Sequence, residues 1–469
     1  MKFVNREHEL SLLTDMYQRD ESQMLILYGR RRIGKTALIT HWLHEQIPQN
    51  AIYWVAHKSS SDMLLEKFSR VVQPCLPDIS VNFRFADWES ALRQVFDLAK
   101  QQKVVLAIDE FPYLVESVPE FPSILQMIWD QHAGTSKLVL ILSGSHYHMM
   151  FKEFISGKGP LYGRSTADLL LEEIEPSSIR HFLPRYSAEQ IVETYSIIGG
   201  VPKYLEMWDD RKPVLRNIEH IVLSPVTIFR QEAIFLIQDE IPEPRTYLAI
   251  LEAIGRGMKS PSAIAKQTGI AINHVGKYVH TLRELGFIRR VISLDAPNYS
   301  KTRLSRYEIK DSYLKFYFHY VYPHLEFLEQ NRVPRLLDII KTRHASFVGK
   351  TGFEELARRL LIQLGDAHQL SFVPDYVGRV WNKQVEIDVV ATSKTSRTIL
   401  LGECKWTRSP VNEAILDSLI QRSTLLPRIR QYRIHYALFS KKGFTTALME
   451  RARKEHILLF TGANFERVN

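Results

Sequence analysis

Leu25-Ile26-Leu27-Tyr28-Gly29-Arg30-Arg31-Arg32-Ile33-Gly34-Lys35-Thr36-Ala37-Leu38-Ile39 is the stretch that decides the fold. A short apolar run, long enough for one buried strand, leads into Gly-x-x-x-x-Gly-Lys-Thr, and an apolar segment of helical spacing follows. Strand, glycine loop and helix in that order are the context a P-loop requires. Glycines let successive backbone N–H groups turn toward phosphate oxygens, and the following helix adds its positive end. The loop therefore predicts a cradle from Gly29 through Ala37, with Arg30, Arg31, Arg32 and Ile33 between the glycines. Lys35 would reach the β- and γ-phosphates of ATP, and the Thr36 hydroxyl would stand on Mg²⁺.

The 469-residue chain is too long for one core, and length alone predicts roughly three domains. Its 45% hydrophobic and 24% charged residues are those of a globular protein, with no low-complexity tract. It has no uninterrupted apolar run of about eighteen residues, so no membrane partner is expected. Met1-Lys2-Phe3-Val4-Asn5-Arg6-Glu7 lacks the apolar region of a signal peptide. Two cysteines, Cys75 and Cys404, supply neither a disulfide framework nor a zinc site, and the expected compartment is the cytoplasm. The net charge of +9 is uneven: residues 251–350 hold seventeen Lys/Arg against eight Asp/Glu. A basic middle between neutral ends points to a polyanion such as DNA or RNA, or to a merely solvated basic face.

Ahead of the loop, Arg6, Glu7, Glu9 and Leu10 open a helical pattern that either closes over an adenine base or simply packs. Beyond it, Ala51–Ala56 reads as a strand and Trp88–Lys100 as a helix. Lys103-Val104-Val105-Leu106-Ala107-Ile108-Asp109-Glu110 is an apolar strand ending in two acids, about seventy residues after the P-loop. This is the Walker B pattern. Asp109 would hold Mg²⁺, and Glu110 would orient and deprotonate the attacking water, so hydrolysis is expected as well as binding. Lys137–Ser145 is a further strand ending in small polar residues. Arg164, in the loop Gly157–Arg164, is either a solvated arginine or a finger acting in cis or on a neighbouring subunit, which leaves a homo-oligomer open. Near-continuously apolar strands alternating with helices predict a parallel sheet of the α/β class.

Residues 1 to about 325 resemble the archaeal-type ATPases, a branch of the AAA+/STAND-like P-loop NTPases. The resemblance is carried by Phe3-x-x-Arg6-Glu7-x-Glu9-Leu10, Gly29–Thr36, Ile108-Asp109-Glu110-Phe111, Ser143-Gly144-Ser145, Leu161-Tyr162-Gly163-Arg164 and Gly199-Gly200-Val201-Pro202. It implies an ATPase core with a helical lid and a winged helix behind it, slow turnover, and nucleotide-sensing roles for Arg164 and the Gly-Gly-Val-Pro turn.

The basic middle itself reads as three helices, Thr246–Ile254, a second capped by Ser260-Pro261 and ended by Gly269, and Asn273–Leu285, followed by a strand at Phe287–Ile292. That is a winged helix-turn-helix pattern. Val275, Val279 and Leu282 would face the core. Asn273, His274, Lys277, Tyr278 and Thr281 would face outward, toward a DNA groove or a protein. The aromatic run Tyr313–Tyr322 reads as a packed connector.

Toward the C-terminus, Phe353–Leu364 is an amphipathic helix with Glu354 at the edge of its apolar stripe and Glu355 roughly opposite. In Val385-Glu386-Ile387-Asp388-Val389-Val390, period two puts Glu386 and Asp388 on one face and Ile387 and Val389 on the other. In Gly402-Glu403-Cys404-Lys405-Trp406, Glu403 and Lys405 share a face. Asp388 and Glu403 would bind Mg²⁺, and Lys405 would activate or stabilise a water beside it. Residues 350–440 resemble the PD-(D/E)XK nucleases through Glu354, Asp388, Glu403 and Lys405, with Glu-Ile-Asp in place of Pro-Asp. The resemblance implies Glu354 as a third metal ligand. A salt-bridged sheet surface is the alternative.

The expected organisation is an α/β P-loop ATPase core at 1–170 and a helical lid at 171–240. A winged helix-turn-helix with its connector follows at 241–325, and a small α/β restriction-endonuclease-like domain at 326–469. The expected function is an ATP-hydrolysing switch that controls a metal-dependent nuclease. The competing reading is a nucleotide-gated DNA- or protein-binding regulator whose C-terminal domain is inactive.

Overall fold

The structure is a computed structural model. It describes residues 3–46, 51–76, 83–145, 147–150, 153–154, 157, 159–296, 302, 304–462 and 466–467. Met1 and Lys2 of the N-terminal motif, Lys158 of the Arg164 loop, and 297–301 and 303 of the basic segment lie outside them. The chain divides into two compact units. The first is formed up to Phe182, with 201–206 and 238–242; the second takes 183–200, 207–237 and everything after Glu243. The segment expected as a lid is thus shared between the units, most of it falling in the second.

The first unit is built on a five-stranded sheet. Its strands are β1 (Gln23–Tyr28), β2 (Ala51–Val55), β3 (Val104–Asp109), β4 (Leu138–Gly144) and β5 (Ala167–Leu170). The spatial order is β2-β3-β4-β1-β5, and every pairing is parallel. β3 and β4 are buried along their whole length, as continuous apolar runs in a helix-covered parallel sheet must be. β4 lies between the P-loop strand and the strand that ends in Asp109, so the ends of all three open on one edge. Trp88–Gln101 begins in a capping box between Asp87 and Ser90, and presents Trp88, Leu92, Val95, Phe96 and Ala99 to the core.

In the second unit, Arg245–Gly255, Pro261–Thr268 and Ile272–Glu284 are helices, followed by a two-stranded antiparallel hairpin of β6 (Ile288–Ile292) and β7 (Ser305–Ile309). Ser260 caps the second helix, Pro261 opens it, and Gly269 ends it at φ +72°. Val275, Val279 and Leu282 are buried, while Asn273, His274 and Lys277 are exposed. Tyr313, Phe316, Tyr317, Phe318 and Tyr320 are buried, so the aromatic run is core.

The C-terminal sheet has six strands: β8 (Tyr376–Trp381), β9 (Glu386–Ser393), β10 (Thr398–Lys405), β11 (Arg433–Ser440), β12 (Leu458–Thr461) and β13 (Glu466–Arg467), in sequential spatial order. β8, β9 and β10 pair antiparallel, and β11 and β12 continue parallel. Helix Glu354–Asp366 packs Ala357 and Leu361 with Val389, Ala391 and Leu400. Helix Glu413–Thr424 packs Leu416 and Leu419 with Ile387, Val390, Ile399 and Leu401. The simple two-residue alternation expected for β9 therefore fails at one point. Ile387 and Val389 join different clusters, because the β8–β9 register shifts between Gly378 and Val380. Asp388 sits at this irregularity, and a bulge is the local device that re-aims one side chain.

Candidate functional site

The loop between β1 and helix Lys35–Gln46 is held in a shape that its glycines make possible. Gly29 has φ +156°, and a Cβ there would stand 2.6 Å from the carbonyl oxygen of Leu171. Gly34 has φ +104°, a backbone state open to glycine at little cost. Ile33 is buried and pins the loop from beneath. Arg6, 9% exposed, donates to the carbonyls of Glu172 at 2.7 Å and of Ile33 at 3.3 Å while pairing with Glu9. The N-terminal motif thus grips the loop itself.

Lys35 and Thr36 point at the ends of β3 and β4. The Lys35 Nζ donates to the carbonyl of Gly29 at 2.8 Å and to Oγ of Ser145 at 2.8 Å. Ser145 Oγ in turn donates to Oε1 of Glu110 at 3.3 Å. Burial pushes the Lys35 amine down to about 8, against the pull of Glu110 and Asp109. The Thr36 hydroxyl donates to Oδ2 of Asp109 at 2.6 Å, and the Tyr53 hydroxyl donates to the same oxygen at 2.9 Å. Glu110 has φ +54°, a left-handed conformation costly for a side chain of this kind. Its N–H donates to Oδ1 of Asp109, so that strain is held locally. The two acids expected at the strand end are therefore brought to Lys35 and Thr36, each through a hydroxyl or a direct bond.

The loop arginines are tethered. Arg30 donates to the Tyr204 hydroxyl at 2.7 Å and lies 3.7 Å from Glu173. Arg31 pairs with Asp239 at 2.8 Å and donates to the Tyr113 hydroxyl at 3.1 Å. Tyr53, Tyr113, Tyr204 and Asp239 were not foreseen as site residues. Tyr204 follows the Gly-Gly-Val-Pro turn, which marked its neighbourhood; nothing in the spacing singles out Tyr53 or Asp239. Arg164 is occupied elsewhere: its guanidinium makes a two-pronged pair with Asp130 at 2.8 and 2.7 Å and caps the carbonyl of Pro160. To serve as a finger it must leave Asp130.

Hard oxygen donors at Thr36 and Asp109, beside a buried lysine and a glycine cradle, suit a divalent cation and a polyphosphate together. Fold and site define a P-loop ATPase. The pattern of an ATPase domain found predominantly in Archaea matches residues 3–208, and that of archaeal and bacterial proteins of unknown function matches residues 317–415. An uncharacterized protein of Methanocaldococcus jannaschii is 30% identical over 449 residues, covering 94% of this chain and 96% of its own. An uncharacterized ATP-binding protein of the same organism is 46% identical over 44 residues, 9% of this chain and 75% of its own. The Walker-type ATPase of Pyrococcus abyssi shares the fold, with a TM-score of 0.51 at 17% identity over 67% of this chain and 96% of that one. The chain belongs to the same family as the first of these Methanocaldococcus proteins, which it matches along nearly the whole of both chains, and its residues 3–208 carry the archaeal-type ATPase domain. Among the described residues no helix is long and apolar enough to cross a membrane.

The C-terminal residues are placed differently from one another. The β9–β10 register sets Asp388 beside Glu403, and Oδ2 of Asp388 accepts the N–H of Cys404 at 3.1 Å. Glu403, 6% exposed, is gripped by Lys405 at 2.6 Å and by Arg422 at 2.8 Å. Burial, then Glu403, pushes the Asp388 carboxyl up to about 6. Glu354 comes from the helix on the other cluster, 3.6 Å from Arg358 and 3.8 Å from Arg379, and burial with Asp388 pushes it up to about 7. Among the described residues no three His, Cys, Asp or Glu side chains are grouped to hold a metal ion. Glu354, Asp388 and Glu403 thus do not assemble into the expected three-acid set. Glu354 is instead paired with Arg358 and Arg379, and Glu403 with Arg422 and Lys405. Glu355, expected to point away from the buried side, is instead held by Arg289 at 2.8 Å and Arg358 at 3.3 Å. The hairpin covers that side of the helix.

Proposed function

We propose that this chain is an ATP-hydrolysing switch that controls a C-terminal metal-dependent site acting on nucleic acid. The observation that carries the first half is the continuous contact from Lys35 through Ser145 to Glu110 beside the Thr36–Asp109 bond. Gly29–Ala37 and Lys35 would hold ATP, and Thr36 with Asp109 would hold Mg²⁺. Bound there, the nucleotide supplies the scissile phosphoanhydride and the cation neutralises its charge. Lys35 exchanges its loop carbonyls for phosphate oxygens and leaves Ser145. Glu110, freed from Ser145, orients a water and accepts its proton. Because Ser145 contacts both, loading Lys35 would leave the Ser145 hydroxyl free to reorient and so loosen its hold on Glu110.

The second half rests on the order helix, β8, β9, β10, helix, β11, in which the antiparallel strands precede the parallel one. It rests also on the resemblance of residues 350–440 to the nucleases through Glu354, Asp388, Glu403 and Lys405. Asp388 and Glu403 are hard oxygen donors and would bind the cation once Glu403 releases Arg422; Lys405 stands ready to hold the attacking water. On this reading the three helices and hairpin at 245–309 act as a winged helix, whose exposed Asn273, His274 and Lys277 would meet the nucleic acid. Calorimetric titration with Mg²⁺-ATP, followed by phosphate release, tests the first half: saturable binding and turnover are expected, and absence of both in the wild-type chain would refute it. Mg²⁺ titration of Asp388→Asn against wild type tests the second.

A further inference from the structure

A cavity of about 530 Å³ opens within the second unit where the hairpin, the aromatic connector and the first C-terminal helices meet. Its size falls in the range that encloses small ligands, roughly 300–1,000 Å³. Seven Lys/Arg line it against Glu308 and Glu355. The carboxylates are already spent: Glu308 on Arg379 at 2.8 Å and Lys259 at 3.2 Å, Glu355 on Arg289 at 2.8 Å. Lys315, Arg343 and Lys350 face the same space with no ion-pair partner among the described residues, and the Nε of Arg289 is buried without an acceptor. Burial, then the neighbouring Arg289, pushes the Lys315 amine down to about 8, against the pull of Glu355 and Glu308. Ile254, Ile309 and Phe347 supply an apolar wall, with the His319 ring tilted against Phe347 at 5.3 Å.

We propose that this cavity binds a small phosphorylated ligand of about mononucleotide size, its phosphate on Lys315, Arg343 and Lys350 and its apolar part against Phe347. Unpaired cations converging from three segments are the arrangement that charge-assisted phosphate recognition needs. The cavity's volume and its apolar wall at Ile254, Ile309 and Phe347 favour a small molecule over a nucleic-acid backbone. The ligand would also tie the aromatic connector, through Lys315, to the helix that carries Arg343 and Phe347, so its binding would report on, and bias, their packing. The site is separate from the P-loop and does not depend on the reading given above.

The test uses the full chain carrying Lys35→Ala, which removes phosphate binding at the P-loop. Inorganic phosphate, pyrophosphate and AMP are titrated while the melting temperature and heats of binding are followed. At least one of the three is expected to bind saturably and raise the melting temperature. Arg343→Ala with Lys350→Ala, both at exposed positions, is expected to weaken that binding about tenfold or more. Lys315→Met should weaken it similarly. No binding by any of the three probes would overturn the proposal, as would binding that the Arg343/Lys350 double variant leaves unchanged. So would a single-stranded oligonucleotide that binds where the three probes do not. ATP binding to the wild-type chain is measured separately, so failure at one site is not read as failure at the other.

Discussion

Ser145 accepts a hydrogen bond from Lys35 at 2.8 Å and gives one to Glu110 at 3.3 Å, so the lysine expected to bind phosphate and the acid expected to activate water are joined by one hydroxyl. The strands make this possible. β4 lies between β1 and β3, and its C-terminal end delivers Ser145 between the loop and the acids.

Breaking that relationship has graded consequences. Lys35→Ala is expected to reduce ATP turnover by about a hundredfold or more, because it removes both phosphate binding and transition-state charge. Glu110→Gln should retain ATP binding and lose turnover by about a hundredfold. Ser145→Ala should alter kcat, about tenfold, more than the KM for ATP, because it uncouples Glu110 without removing a phosphate ligand. Steady-state phosphate release on the three variants checks the order.

The ion pairs between the hairpin and the C-terminal domain are structural. Arg379 is 11% exposed, 2.8 Å from Glu308 and 3.8 Å from Glu354. Arg379→Met leaves a buried carboxylate without its nearest cation and should destabilise the second unit by about 3 kcal/mol. Denaturant unfolding measures this, and the double variant Arg379→Met/Glu308→Gln should recover part of the loss.

Acid should find the same place. Burial would raise the Glu308 carboxyl, yet Arg379, Lys259 and Arg289 together hold it well below its ordinary value of 4.5. A carboxyl depressed in the folded state contributes stability that is fully present above its unfolded value. That stability is lost as pH falls, since only the unfolded chain then takes up the proton. The melting temperature should therefore drop as pH passes below about 4.5, and Glu308→Gln should flatten that drop.

How much of this the sequence disclosed differs by site. That Gly29, Lys35, Thr36, Asp109 and Glu110 come together was legible, because a P-loop pattern ties residue type, spacing and flanking elements at once. Val275, Val279 and Leu282 were legible because helical period decides burial. Tyr53 and Asp239 were not, since a hydrogen bond between distant elements leaves no local pattern. The faces of Ile387 and Val389 were misread because a bulge breaks the two-residue period on which the reading relied. Glu355 was misread because the hairpin covers a helix face that, taken alone, looks solvent-exposed. The metal set was overdrawn: motif spacing brought Asp388 and Glu403 together correctly across β9 and β10, but says nothing of the arginines that claim Glu354 and Glu403.

The account stands most directly on one assay. Full-length protein is incubated with single- and double-stranded DNA and with RNA, in Mg²⁺ or Mn²⁺, with and without ATP, beside Asp388→Asn and Lys35→Ala. Cleavage of at least one nucleic acid is expected, dependent on the divalent cation, lost in Asp388→Asn, and no longer responsive to ATP in Lys35→Ala. Intact nucleic acid in every nucleotide state, or cleavage that Asp388→Asn retains, would contradict it.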